Sequence, residues 1–416
     1  MHILILGAGI IGVTTSYELL KAGHKVTVID RQSGPALETS FGNAGLIAPG
    51  HSYAWATPKL PGNLIKSLFN KKKTFRFKFQ WDPAMWYWGI QFISQCSRKK
   101  MGENTLRKHR LSSYSQNCFH QLLDEIKINY HGNKKGLIYI FRTPESFQEG
   151  KQKLAMLKSV MNNLQLLNLN ELIQIEPVMK NIQTGIYGGI YCPSDESGSC
   201  RDFTLELVEI CKKKGGIFHY NTTIKKLEKE SGKINKVITD KGDFMADKYV
   251  LSCASYSPFF AKKVGDYLPI YPVKGYSITV PIIDKKKAPV HSGIDEDNLL
   301  AFSLMGNKIR FTSVAEISGY DTKWSPSDFT EIVQLARSLF PQACDFSQIE
   351  YWCGLRPMTP NGAPIIGQGK IDNLYYNTGH GHLGWTMCAG SAKIITDLIL
   401  YNKPDLDLEG MTIAKS

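Results

Sequence analysis

The chain has 416 residues, 43% of them hydrophobic and 21% charged. That is enough for a sizeable core and more than one domain comfortably holds, so two domains are expected. A formal net charge of +13 points to an anionic partner: nucleic acid, an acidic membrane surface, or a phosphate- or carboxylate-bearing ligand. Nucleic acid is set aside, because the lysines spread along helices and turns without zinc-finger spacing or Arg-rich arms. Nine cysteines without a C-x-x-C pair, and no basic head or cleavage region at the N-terminus, give an expected cytoplasmic location, to which the basic, aromatic stretch at 71–99 adds the option of peripheral association with the inner membrane. The absence of any run of about 18 apolar residues argues against a membrane span.

The first elements are the most informative. Ile3 to Leu6 form an apolar run suited to a buried parallel strand, Val13 to Lys21 a helix, and Lys25 to Ile29 a second strand ending at Asp30. Between them Gly7, Gly9 and Gly12 stand in G-x-G-x-x-G spacing. Gly7 allows the tight turn, Gly9 lets the backbone approach a pyrophosphate, and Gly12 lets the helix lie close to the strand. The free N–H groups of the first helical turn face the phosphates, and Asp30 accepts from a ribose hydroxyl. An acid there disfavours a 2′-phosphate. NAD and FAD both remain open.

The next stretch, ETSFGNAG, supplies Thr39, Ser40, Asn43 and Gly45. Small hydrogen-bonding residues directly after the ribose strand suit a close-fitting loop beneath a long dinucleotide, which favours FAD; a surface turn cluster has the same composition. From position 71 to 99 a basic run with Lys71, Lys72 and Lys73 precedes Trp81, Trp86, Tyr87, Trp88 and Phe92. Met85 to Cys96 is expected to be an amphipathic helix. Its aromatics either pack in the core or meet an anionic lipid surface.

Residues 103–129 and 146–163 read as helices and Gly136 to Phe141 as a strand. Alternation between strand and helix returns with a helix over Phe203 to Lys214 and strands over Ile217–Tyr220, Ile224–Glu228 and Lys248–Leu251. From Tyr276 the pattern has period two, with Ile278 and Val280 set against Ser277 and Thr279, as in a sheet with one packed face. A hairpin is expected at Gly306-Asn307, and a helix over 328–339. Arg356 stands at the end of a strand, where its guanidinium offers two parallel donors to a carboxylate; a structural ion pair is the alternative. Finally, His380 and His382 lie among glycines ahead of a helix that begins near Leu383 or Trp385. No Cys or His pattern nearby completes a metal site.

The opening motif, ETSFGNAG, YPVKGYS, GLRPMTPNGAPIIG and NTGHGHLGWTMCAGSA, taken in that order, resemble the FAD-dependent D-amino acid oxidase-like superfamily. Within it they are most similar to the bacterial D-amino acid dehydrogenase small subunits. The resemblance implies an α/β plus α+β chain of the glutathione-reductase-like FAD fold, D-amino acid oxidase type. A discontinuous Rossmann-like FAD-binding domain (1–60, 185–262 and 350–416) would be paired with an antiparallel-sheet substrate domain (61–184 and 263–349). The expected cofactor is non-covalent FAD, held by Gly7, Gly9, Ile11, Gly12, Asp30, Arg31, Thr39, Ser40, Asn43, Gly45, Ile224, Ser252, Gly354, Gly379, Gly381, His382, Leu383, Gly384, Trp385 and Thr386. Arg356, Tyr276, Gly381 and His382 are the expected catalytic residues, with Arg356 on the substrate carboxylate. The Ser252–Ser257 loop departs from the family pattern, having Ala254 in place of a glycine.

The implied activity is oxidation of a D-amino acid such as D-alanine to a 2-oxo acid and ammonia, with a quinone or other respiratory electron acceptor. Alternatives are a glycine or sarcosine oxidase-like enzyme, a 2-hydroxy acid oxidising FAD enzyme, or a non-catalytic FAD-binding subunit.

Overall fold

A computed structural model describes residues 1–62, 75–161, 163–182 and 185–413; Lys71, Lys72 and Lys73 lie outside them. The strand His2–Leu6 sits between Lys25–Ile29 and Lys248–Leu251, parallel to both. Ile217–His219, Leu374–Thr378 and Ile365–Gln368 complete a six-stranded sheet, which is parallel except at the Ile365–Gln368 edge. Apolar runs are what such a sheet needs, because both faces are covered. One face packs under the helices Ile10–Lys21, Arg98–Glu125, Cys200–Lys213 and Gly384–Ile399, with Val13, Phe119, Phe203 and Trp385 in the shared core. A three-stranded sheet of Ile224–Glu230, Lys233–Thr239 and Gly242–Phe244, with the helix Ser257–Val264, packs on the other.

A nine-stranded sheet stands beside this layer. Its second strand, Tyr271–Pro281, is flanked by the edge strand Glu350–Met358 and by Lys308–Ile317, both antiparallel to it. The expected hairpin forms between Leu300–Met305 and Lys308–Ile317, with Gly306 at φ 63°. Tyr271–Pro281 departs from the one-packed-face expectation, because both of its faces are buried. Tyr276, Ile278 and Val280 face an apolar core with Phe302, Phe311 and Phe329. The opposite face is polar and meets the dinucleotide layer: Arg310 donates to Thr279 Oγ1 at 3.0 Å and to the Phe41 carbonyl at 2.7 Å.

The helices begin upstream of their apolar patterns because their caps lie there. Ser97 accepts from the Lys100 N–H, Thr143 from Ser146 and Ser199 from Asp202, so the helices start at Arg98, Pro144 and Cys200. Similarly, the first helix starts at Ile10 with Gly9 as its cap. Sheet membership also cuts across the expected boundaries. Gly188–Cys192 and Glu350–Met358, assigned to the FAD-binding part, pair in the nine-stranded sheet, whereas Arg98–Glu125, assigned to the substrate part, packs in the core of the six-stranded one.

The aromatic segment resolves into two faces of the helix Pro83–Ile93, capped by Asp82. Met85 and Trp88 pack inward against Tyr271, Val273 and Met358. Trp81, Trp86, Tyr87, Ile90 and Ile93 are exposed, Trp81 to 92% and Ile90 to 68%. Among the described residues, no helix is long and apolar enough to cross a membrane.

Candidate active site

The glycine turn has little spare room. A Cβ on Gly7 would lie 2.7 Å from the Ser252 carbonyl oxygen, and one on Gly12 would overlap the Gly7 carbonyl oxygen. A Cβ on Gly9 would meet only Ser40 Oγ, at 3.4 Å. The first turn carries no acid, so its amides at Ile11 and Gly12 present an uncontested positive end. Asp30 accepts from the N–H groups of Ala8 at 2.6 Å and Gln32 at 2.8 Å. Burial raises its pKa and those two bonds lower it. Ile224 starts its strand two residues after Thr222, whose N–H donates to the Asp30 carbonyl, so the ends of the two segments meet.

The loop after Asp30 reaches toward the nine-stranded sheet. Arg31 lies 3.9 Å over the Tyr256 ring and pairs with Glu38. Ser40 accepts from the Ile10 N–H at 3.0 Å, Thr39 donates to the Leu355 carbonyl at 2.8 Å, and Asn43 accepts from the Gly45 N–H at 2.8 Å. Arg31, Thr39, Ser255, Gly354 and Leu355 line a cavity of about 180 Å³ in this seam. Among the described residues, the buried hydroxyls of Ser252, Ser303 and Thr312 find no hydrogen-bond partner. A groove of small residues with orphaned hydroxyls, opening at a helix N-terminus, fits a dinucleotide such as FAD. Ala254 adopts φ 48°. A glycine is favoured in that left-handed conformation, so the alanine here carries backbone strain that the family's glycine would not.

At the far end of the groove, the Gly381 N–H donates to the Pro357 carbonyl at 3.0 Å, joining the histidine loop to the Arg356 strand. Gly379 and Gly381 take φ 78° and 56°. Burial holds His380 neutral, with its pKa lowered to about 3. His382 stacks on Trp55, ring centroids 4.7 Å apart. Burial lowers its pKa well below the usual value, helped by Lys108, His51 and Arg356. Thr386 donates to the Leu46 carbonyl. The Trp385 side chain, in contrast, packs on Phe119 and Phe203 in the core, so only its backbone, beside Leu383 and Gly384 at the helix start, faces the groove. Among the described residues, no group of three or more His, Cys, Asp or Glu could hold a metal ion.

Arg356 pairs with Val273, and a Cβ on Gly275 would run into its guanidinium. Its Nη1 donates to the Val314 carbonyl at 2.9 Å. Val314 adopts φ 64° where the ladder slips a register. A β-branched residue there is a genuine outlier, and such bulges re-aim groups near active sites. Burial alone lowers the Arg356 pKa, to about 10, with no acid contributing. Tyr276 is not brought to this site. It faces the apolar core and donates to Glu316 Oε2 at 2.9 Å.

Lys108, which motif reading passed over, closes the site. It is 1% exposed, and its Nζ donates to the Tyr53 carbonyl at 2.7 Å. Burial lowers its pKa to about 7. Its spacing with Leu111, Ser112, Ser115 and Phe119, which are all buried, was the available signal: a lysine on the inward stripe of a helix.

A family model described as FAD dependent oxidoreductase (DAO) matches residues 2–398. The chain belongs to the FAD-dependent oxidoreductase family. It is 41% identical over 415 residues to the D-amino acid dehydrogenase of Azorhizobium caulinodans, covering 100% of both chains. It is also 41% identical over 415 residues to that of Agrobacterium fabrum, covering 100% of this chain and 99% of the relative. Among solved structures it resembles glycine oxidase from Geobacillus kaustophilus, with TM-score 0.78, 19% identity, and 100% and 98% of the two chains covered. L-proline dehydrogenase from P. horikoshii gives TM-score 0.74 at 16% identity, covering 99% and 96%. As a member of this family the chain uses FAD.

Proposed function

We propose that the chain is a D-amino acid dehydrogenase holding FAD non-covalently. When bound, FAD supplies the acceptor for the hydride leaving the amino acid Cα. The observation carrying this reading is Arg356, a buried guanidinium with one arm on the Val314 carbonyl and no acid acting on it, beside the Gly381 loop. Its free arm takes the substrate carboxylate and fixes Cα over the cofactor face. The neutral histidines, Trp55 and the burial around them exclude water from that face. The imino acid product hydrolyses to a 2-oxo acid and ammonia. FAD-saturated protein mixed anaerobically with D- and L-amino acids tests the reading. Bleaching of the flavin by D-alanine and not by L-alanine or 2-hydroxyglutarate is the expected result.

A quinone or other respiratory carrier is the proposed acceptor, met at an anionic membrane surface. The exposed Trp81, Trp86, Tyr87, Ile90 and Ile93, followed by Arg98, Lys99 and Lys100, support this reading.

A further inference from the structure

Arg356 and Lys108 are two buried basic groups, and among the described residues no acid pairs with either of them. Burial lowers the proton affinity of each, and each donates to a backbone carbonyl, Lys108 to that of Tyr53 and Arg356 to that of Val314. The acids nearby are already engaged. Glu296 accepts from His51 at 2.5 Å and from Lys153 at 3.1 Å. Asp195 accepts from Tyr139 at 2.5 Å and from the Gly50 N–H at 2.9 Å. Buried cations left in this state are costly unless an anion joins them.

Both groups lie near enough to the His382 ring to lower its proton affinity. Lys108 is held at Tyr53, two residues from Trp55, which stacks on His382. Its Cε and Nζ also lie 3.7 Å from where a Gly362 Cβ would stand, in the turn closed by the Gly362 N–H on the Thr359 carbonyl. Arg356 precedes that same turn by three residues, and the Pro357 carbonyl receives the Gly381 N–H. The site thus brings two buried basic groups to one neutral imidazole.

Building on the amino-acid reading above, we infer that the substrate carries a second carboxylate. Arg356 takes the α-carboxylate, and Lys108 takes an acidic side chain in the manner of D-aspartate or D-glutamate. The ammonium has donors to spare beyond its bond to Tyr53, so it binds the side-chain carboxylate without releasing the loop. A neutral amide of the same shape lacks the charge that Lys108 answers.

The test compares acids with their own amides on FAD-saturated protein. Reductive half-reactions are followed anaerobically with D-aspartate against D-asparagine and D-glutamate against D-glutamine. Binding without turnover is read from the flavin difference spectrum with succinate against its monoamide. In wild type at least one acid is expected to outperform its amide by about tenfold or more, and succinate to bind tighter than its monoamide by a similar factor. Lys108→Met should bring both ratios close to one, and Lys108→Arg should keep a substantial part of them.

Wild type with no preference for either acid over its amide, or a preference that Lys108→Met leaves intact, overturns the inference while D-alanine still bleaches the flavin. If no D-amino acid bleaches it, the amino-acid reading itself has failed, and the succinate titration alone decides whether Lys108 binds a second carboxylate. If Lys108→Met loses FAD, the wild-type acid-to-amide ratios and Lys108→Arg decide.

Discussion

Arg356 and Tyr276 lie on neighbouring strands of one sheet and face opposite ways. Arg356 pairs with Val273 and Tyr276 with Cys353, so an odd number of residues separates them along the ladder. The arginine therefore meets the dinucleotide layer, and the tyrosine meets the apolar core. Arg356→Lys keeps the charge but loses the fork. It should retain FAD while efficiency with D-alanine falls about a hundredfold, if about 3 kcal/mol of oriented binding is lost. Tyr276→Phe should instead cost stability, about 1 kcal/mol from the lost bond to Glu316, with near-normal flavin reduction. Stopped-flow reduction and thermal melts of both variants separate the roles.

Gly9 and Gly12 are expected to fail differently. Gly12→Ala sets a methyl against the Gly7 carbonyl, so the apoprotein itself should be strongly destabilised. Gly9→Ala meets only Ser40 and should fold, yet lose FAD because the methyl stands where the pyrophosphate approaches. Flavin-to-protein ratios and melts of the apoproteins distinguish the two outcomes.

Ala254 carries a left-handed strain that glycine would relieve. Ala254→Gly should stabilise the fold by about 0.5–1 kcal/mol, seen as a Tm rise of roughly 1–2 °C in a chain of this size. FAD content should not fall.

Lys108 gives stability a pH dependence of known sign. Its folded pKa of about 7 lies below the unfolded lysine value, so the unfolded chain binds more protons between them. The cost of burying the charge is full below about pH 7 and fades as pH rises toward the unfolded value. Lys108→Met removes that cost, so the variant's Tm advantage should be greatest near pH 6–7 and shrink by pH 10. Melts of the substrate-free protein across that range measure it.

At the exposed helix face, replacing Trp81, Trp86 and Ile90 by glutamine should abolish vesicle binding and leave turnover with a soluble dye nearly unchanged. Neutralising Lys71, Lys72 and Lys73 should weaken binding to anionic vesicles by about 1 kcal/mol per lysine at most. Vesicle co-sedimentation in low and high salt separates the apolar contribution from the charged one.

The dinucleotide turn was legible because one short segment carries the whole device: strand, glycines, helix and terminal acid. The place of Arg356 near the end of a strand was legible from the motif around it. Tyr276 was misread because alternation reveals two faces without saying which one meets the ligand. Here the polar face is the buried seam, held by Arg310, and the apolar face is ordinary core. Trp385 was assigned by adjacency, although its side chain turns into the helix layer. Lys108 was overlooked because a lysine in a basic helix looks solvated until its neighbours on the same stripe are seen to be buried.

Arg310 binds Thr279 within its own sheet and reaches across to the carbonyls of Phe41 and Asn43. Thr39 makes a second crossing, to Leu355. These rivets join the two halves of the chain at the middle of the groove, and parting the halves like jaws would break all of them at once.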